Sequence, residues 1–198
     1  MLMKNYALFF IVILCSFTPF TDNTVDRLGV KGPLVFGDTN FKLTWTDKPN
    51  DTYYIQEYLP AGDTLEKFKQ LLTIHLYEKD ITTQDAVKQK IQELVKRRLT
   101  DPICNYKVIE SPDGKEFMVD FLLSESKNDL MEIVEFNIYH YKQVELGGNK
   151  KAILVYAYSK RSYGDEITPF LKHLKTERME MLNTMIAAQV PVITLIEN

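Results

Sequence analysis

YYIQEYLPAGDTLEKFKQLLTIHLYEKD, Tyr53–Asp80, is the stretch on which the fold turns. Thr52–Leu59 reads as a strand, and Pro60-Ala61-Gly62 ends it. Asp63 then stands where a helix N-cap belongs, with Glu66 three residues later in a near capping box. Leu65, Phe68, Leu72 and Leu76 follow at helical spacing. The stretch is therefore expected to be a strand, a tight corner and a helix that ends beside His75 and two acids. On that reading the corner is architecture, a capped helix start that lets the chain leave a sheet and cover it.

Outward from the corner the patterns are plainer. On the N-terminal side, Leu34–Phe36 is a short strand. In FKLTWT, Phe41, Leu43 and Trp45 alternate with Lys42, Thr44 and Thr46, the mark of a half-buried strand, and KPND turns it into Thr52–Leu59. On the C-terminal side a second helix spans Thr83–Leu99. Thr82 or Thr83 caps it, and Val87, Ile91, Leu94 and Val95 form its apolar stripe. Asp101-Pro102 stops it. Strands follow at Tyr106–Glu110, Glu116–Leu123, Leu130–Val144 and Lys151–Arg161. A closing helix runs from Glu166 to Ala188, lined by Ile167, Phe170, Leu171, Leu174, Met181, Leu182 and Met185. The expected order is β-β-α-α-β-β-β-β-α in a single α+β domain over residues 22–198, an antiparallel β-sheet flanked by helices.

The N-terminus has a different character. MLMKNYALFFIVILCSFTPF carries one charge, Lys4, before an apolar run. That run is short for a bilayer core of about 30 Å and has the layout of a secretory leader, placed here over residues 1–21. Cys15 raises lipid anchoring as an alternative, although Leu14 is larger than the residue a lipoprotein signal wants before its cysteine. An exported protein of the periplasm or extracellular envelope follows, with no membrane span once the leader is removed. Cys104 would then be the one remaining cysteine, so no internal disulfide is expected.

The 198 residues are 45% hydrophobic and 26% charged, enough for a core that needs no staples, and the net charge of −3 offers no basic surface for nucleic acid. The YYIQEYLPAGDTLEKFKQ corner, the helix after it, the run of antiparallel strands and the closing helix together resemble the α/β/α sandwich of PsbP-like extrinsic photosystem proteins and of the Ran-binding nuclear import factor that shares their fold. The resemblance covers most of Phe41–Ile186 as an order of elements. It implies a protein that binds other proteins or supports assemblies, and it carries no catalytic residue over to this chain.

Candidate chemistry is sparse. His75 and Glu78 form an H-x-x-E pair with no third ligand nearby, so neither a metal nor another cofactor is expected. Cys104 with His75 or His140 lacks the local signature of a cysteine enzyme. Glu132 and Glu135 fall on opposite strand faces, and Glu57 is notable for its tyrosine neighbours Tyr53, Tyr54 and Tyr58. Arg178 sits near the apolar stripe of the last helix, where it is expected to snorkel past its neighbours. The most distinctive feature is NIYHYK…LVYAYSKRSY. With Gly147-Gly148 as a two-residue turn, Tyr139 faces Tyr156, Tyr141 faces Leu154 and Asn137 faces Tyr158. Tyr139, Tyr141, Tyr156 and Tyr158 then share one face, either covered by a helix with their hydroxyls reaching water at its edge or open in part as a tyrosine-rich ligand surface, with Lys160 and Arg161 as a basic rim. The expected role is a non-catalytic binding or accessory module for a protein or a small amphipathic ligand. The alternative is an exported hydrolase whose site is assembled only in three dimensions. The apolar tail Val190–Ile196 offers a docking segment for the same chain or for a homodimer.

Overall fold

The computed structural model describes residues 24–148 and 150–196. The leader expected over 1–21, and Cys15 within it, lie outside the described residues.

Among the described residues there are eight strands and two helices. They are β1 Leu34–Phe36, β2 Thr39–Asn50, β3 Tyr53–Leu59, β4 Gln70–Tyr77, α1 Thr83–Arg97, β5 Asn105–Glu110, β6 Phe117–Lys127, β7 Leu130–Leu146, β8 Lys150–Tyr163 and α2 Ile167–Ala187, the last entered through a short 3₁₀ turn at Gly164–Glu166. The α+β class holds. All strands join one antiparallel sheet in the order β1-β2-β3-β4-β8-β7-β6-β5, which curls into a half-barrel. Two consecutive meanders, β1–β4 and β5–β8, thus meet where β4 pairs with β8. α1 carries the chain from β4 in the middle of the sheet to β5 at its far edge.

The helix expected after Asp63 is β4. Five of its eight residues are buried, and Leu72, Ile74 and Leu76 point to one face while Leu71, Thr73, His75 and Tyr77 point to the other. Leu72, Ile74 and Leu76 alternate with Thr73, His75 and Tyr77, but Leu72 and Leu76 also continue the helical spacing of Leu65 and Phe68, so a run this short fits both templates. Asp63 does cap, but it caps a corner. Its Oδ2 accepts hydrogen bonds from the backbone of Lys69 at 2.8 Å and Gln70 at 3.3 Å, which turns the chain into β4. Leu65 and Phe68 close a small cluster with Leu59 and Leu71 instead of covering the sheet.

Each face of the sheet carries one helix. α1 starts where Thr82 accepts from the Asp85 backbone at 3.0 Å, and its Val87 and Leu94 pack with Phe117, Val119, Phe121, Ile153 and Val155. On the other face α2 lays Leu174, Met181, Leu182 and Met185 over Leu72, Ile74, Phe136, Ile138 and Leu154. Arg178 of α2 does not snorkel; it forms an ion pair with the buried Asp120 of β6.

The C-terminal tail docks on its own chain. Thr194 donates to Leu28 O at 2.9 Å and Ile196 to Arg27 O at 3.0 Å, and Val190, Ile193 and Leu195 pack on the α2-side core. The approach is close enough that a Cβ at Gly29, whose φ is +69°, would lie 2.9 Å from Thr194 O. The docked-on segment is itself held by buried Gln56, whose Oε1 accepts from the Arg27 and Leu28 backbone at 2.7 and 3.1 Å.

The β7–β8 hairpin corrects the tyrosine face. Leu146 pairs with Lys150, so the connection is three residues, 147–149, with Gly148 at φ +76°. That slips the pairing by one from the two-residue turn, and a slip of one sends side chains to opposite faces. Tyr139 pairs with Ala157, Tyr141 with Val155 and Asn137 with Ser159. Tyr139 and Tyr141 face α1, whereas Tyr156 and Tyr158, 1% and 3% exposed, are buried under α2.

Candidate functional site

Beneath α1 the sheet floor is not sealed. A cleft of about 260 Å³ opens there, lined among others by His75 and Tyr77 of β4, Tyr139 and Tyr141 of β7, and Lys90 and Glu93 of α1. The small floor residues Ile153 and Val155 of β8 lie between the two aromatic strands and create the depression. Tyr53 of β3 buttresses one wall. Its ring stacks on Tyr77 at 4.5 Å, and its hydroxyl meets His75 Nδ1 at 2.9 Å. Burial, with the ammonium of Lys90 nearby, pushes the His75 pKa down to about 3. The imidazole is therefore neutral, with one ring nitrogen a donor and the other an acceptor, and its Nδ1 is engaged by the Tyr53 hydroxyl. Burial pushes the Tyr77, Tyr139 and Tyr141 hydroxyls upward as well, so they remain protonated. Lys90 lies 5.1 Å above the Tyr139 ring and 4.9 Å above the Phe121 ring, with its ammonium 3.3 Å from Glu93.

Lys90 and Glu93 also border a second depression on this face, about 300 Å³, shared with Arg97, Ser124, Glu135 and Arg161. Arg161 stacks on Phe68 at 4.0 Å and binds Glu135 Oε2 through Nε at 2.7 Å and Nη2 at 2.6 Å. Glu57 of β3 shares the face. Burial first, and then the charge of Glu135, raise its pKa to about 7, with Arg161 offsetting part of the rise. Between these groups lies Asn137, 1% exposed. Its Oδ1 accepts from Ser159 Oγ at 2.6 Å, and its Nδ2 has no partner. A groove with aromatic walls, an unusually basic carboxylate and an unusually acidic imidazolium is the pattern expected of a binding or reactive site.

The α2 side has a separate cleft of about 210 Å³, lined by Ile109, Pro112, Phe117, Met118 and Ile186 together with His140 and Glu116. His140 Nε2 lies 2.7 Å from Glu116 Oε2, and Lys142 Nζ lies 2.8 Å from Glu116 Oε1. Burial would raise the Glu116 pKa, but the hydrogen bonds from Lys142 and His140 prevail and hold it below the usual carboxylate value. This histidine–acid contact beside a cleft is the arrangement a three-dimensionally assembled enzyme needs, and the sequence did not reveal it. A nucleophile is missing, however. Among the described residues no hydroxyl or thiol is bonded to His140. Ser111 Oγ donates to Asp113 Oδ1 at 2.7 Å, and the buried Cys104 packs in the α1-side core, its thiol pushed up by burial.

The remaining sequence candidates separate. His75 and Glu78 lie on opposite faces of one extended stretch, and Glu78 pairs with Lys150 at 3.7 Å. Among the described residues no three of His, Cys, Asp or Glu gather as metal ligands, and no helix is long and apolar enough to cross a membrane. Of the four tyrosines expected to form one surface, Tyr139 and Tyr141 reach the α1-side cleft and Tyr156 and Tyr158 do not. Glu57, Glu135 and Arg161 were each noted in the sequence but not joined. Arg161 faces Glu135 across the β7–β8 hairpin, and the β3-β4-β8 adjacency brings Glu57 to them.

No curated protein and no solved structure matches the chain. A protein-family model does match, over residues 28–190, which takes in every strand and both helices. The chain therefore belongs to that family, an uncharacterised one.

Proposed function

We propose that the protein is an exported binding module whose α1-side groove holds a small amphipathic ligand. The observation that carries the reading is the convergence of Tyr53, His75, Tyr77, Tyr139 and Tyr141 on one open cleft, with the Glu57–Glu135–Arg161 group beside it. Rings supply apolar contact area. The hydroxyls, the imidazole N–H and Lys90 supply donors, and Glu93 supplies an acceptor. Export rests on the leader-like residues 1–21. One helix on each face of the sheet is also what a PsbP-like sandwich would show, and an accessory, non-catalytic role fits that resemblance. A homodimer through the tail is the weaker partner proposal, because most apolar side chains of the tail already pack on their own core.

The test is native mass spectrometry of the full chain taken from its own envelope fraction. A bound small molecule is expected, and Tyr139→Ala with Tyr141→Ala should lose it. Retention of the same molecule by the double variant would place the ligand elsewhere. A second reading, a hydrolase, is favoured by the His140–Glu116 contact alone. Turnover of ester or amide probes that disappears in His140→Gln would establish it.

A further inference from the structure

The polar groups that line the α1-side groove fall into two kinds. Its ions already have partners. Lys90 Nζ lies 3.3 Å from Glu93, Arg161 Nη2 2.6 Å from Glu135, and Arg97 Nε 3.2 Å from the Asp101 carboxylate. Lys79 and Glu125 stand exposed at the rims, where water solvates them. The Tyr139 and Tyr141 hydroxyls and His75 Nε2, by contrast, are neutral and free. All three residues line the cleft of about 260 Å³. None of the three atoms has a hydrogen-bond partner among the described residues, and none is sealed from water. Their rings lie close together, with centroids 6.3 Å apart for Tyr139 and Tyr141 and 6.0 Å apart for His75 and Tyr139.

Neither sign of charge suits this cleft. Burial most of all, and then Glu135, Glu57 and Glu93 among the nearby charges, keep the Tyr139 hydroxyl protonated, and the same negative potential opposes an anion. A cation meets the Lys90 ammonium, which already stands 5.1 Å over the Tyr139 ring and, after burial, helps to keep His75 uncharged. A wholly apolar ligand fares no better. It would displace water from the two hydroxyls and the imidazole nitrogen and leave their hydrogen bonds unmade. What remains is a neutral molecule with an apolar body and several hydroxyls. A hydroxyl both donates and accepts, so it meets a tyrosine O–H in either sense and His75 Nε2 in either tautomer.

On the reading of that groove as the binding site, we propose that its occupant is a neutral, polyhydroxylated six-membered ring, one sugar unit in size and chemistry. The C–H face of the ring lies on the floor of Ile153 and Val155, and its rim hydroxyls bond to Tyr139, Tyr141 and His75 Nε2. On the α1 wall Lys90 donates and Glu93 accepts, so the ion pair serves two further hydroxyls without a net charge on the ligand. The size agrees. An apolar cavity of about 150 Å³ holds a benzene, and about 260 Å³ admits a substituted six-membered ring.

The experiment uses the full chain and probes built on one ring size. The methyl glycosides of glucose, galactose, mannose and N-acetylglucosamine are compared with methoxycyclohexane, cyclohexanecarboxylate and cyclohexylammonium. NMR titration is expected to give at least one glycoside a Kd about tenfold or more below that of every comparison ring, with shifts at the Tyr139, Tyr141 and His75 rings. Tyr139→Phe with Tyr141→Phe keeps both rings and deletes two hydroxyls that have no protein partner. The double variant should bind the glycoside about tenfold more weakly and methoxycyclohexane no less tightly. A comparison ring that binds in the cleft as tightly as the best glycoside, or glycoside affinity that survives the double variant, overturns the proposal and leaves the groove standing as a binding site. Glycoside shifts confined to other parts of the molecule overturn it as well. If no ring shifts these residues the proposal falls, and native mass spectrometry of the chain decides separately whether the groove holds a ligand of another kind.

Discussion

The two faces of this sheet are made by the same strands and do opposite things. The α2 face is aliphatic and aromatic nearly throughout, with Leu72, Ile74, Phe136, Ile138, Leu154 and Tyr156 closed under Met181, Leu182 and Met185. The α1 face is closed where Val87 and Leu94 meet Phe117, Val119 and Phe121. Across β7, β8, β4 and β3 it turns polar, with Thr73, Asn137 and Ser159 buried and Glu57, His75, Glu135 and Arg161 on the same face. Strand alternation makes the division possible, because consecutive residues serve different faces. One face can then carry most of the stability while the other tolerates strained polar chemistry.

Breaking the α2 face should have the largest effect. Leu182→Ala removes a fully buried side chain from the helix that covers it, and about 2–5 kcal/mol should be lost in urea unfolding. A loss under 1 kcal/mol would mean that α2 is not the principal cover. On the other face the largest single loss is expected at Asp101, just past the end of α1. Its carboxylate accepts from Ser124 N at 2.7 Å, Ser124 Oγ at 2.6 Å, Ile103 N at 3.1 Å and Arg97 Nε at 3.2 Å. Asp101→Ala strands those donors and should cost about 3 kcal/mol. Burial would raise the Asp101 pKa, but the Ser124 and Arg97 bonds lower it. A depressed carboxyl contributes stability above its unfolded pKa, and that contribution is lost as pH falls through the folded value. The wild type should therefore lose stability in acid more steeply than Asp101→Asn.

Glu57 sharpens the contrast, because it acts in the opposite direction. Its folded pKa, about 7, lies above the ordinary 4.5. Ionising it is harder in the folded state, so stability falls as pH rises from about 4.5 to 7 and is constant beyond. Glu57→Gln should be more stable than wild type by about 1–2 kcal/mol at pH 8 and nearly equal to it at pH 4. If the variant is less stable at pH 8, Glu57 has a cation partner and the groove is better compensated than its geometry implies.

How much of this was legible in the sequence depends on the period of the pattern. α1 was legible, because Thr82, Val87 and Leu94 form a capped helical stripe against a polar background. The same is true of α2, and of the alternating residues of β2 and β6. β4 was not legible. LLTIHLY does alternate, with Leu72, Ile74 and Leu76 against Thr73, His75 and Tyr77, but Leu65, Phe68, Leu72 and Leu76 also fit a helical stripe, and Asp63 with Glu66 imitates a helix start. The tyrosine surface failed for a smaller reason. Gly147-Gly148 announces a hairpin, but whether the turn holds two residues or three cannot be read from the glycines, and that one residue decides which face Tyr156 and Tyr158 occupy. The polar cluster was only half within reach. Glu135 and Arg161 face each other across the β7–β8 hairpin, but Glu57 joins them only because β4 pairs with β8, a contact between halves of the chain that no local spacing encodes.

The smallest expected effect tests whether the α1-side cleft is organised before any ligand arrives. Tyr53→Phe keeps the ring stacked on Tyr77 and deletes only the hydroxyl that is hydrogen-bonded to His75 Nδ1. About 1 kcal/mol should be lost at pH 7, since the partner is left unmet in a half-buried place. The wild-type His75 ring should show no titration by NMR between pH 5 and 8, because its pKa lies near 3. The sign for stability follows from linkage. The unfolded imidazole takes up a proton near 6.5 and the folded one does not, so wild-type stability declines as pH drops below 6.5. In Tyr53→Phe two outcomes separate two causes. If His75 stays silent, burial and Lys90 alone keep it neutral, and the hydroxyl serves to orient the imidazole in the cleft. If His75 begins to titrate near 6, water has entered in place of the hydroxyl. The Tyr53–His75 pair is then what keeps this side of the sheet dry enough to discriminate among ligands.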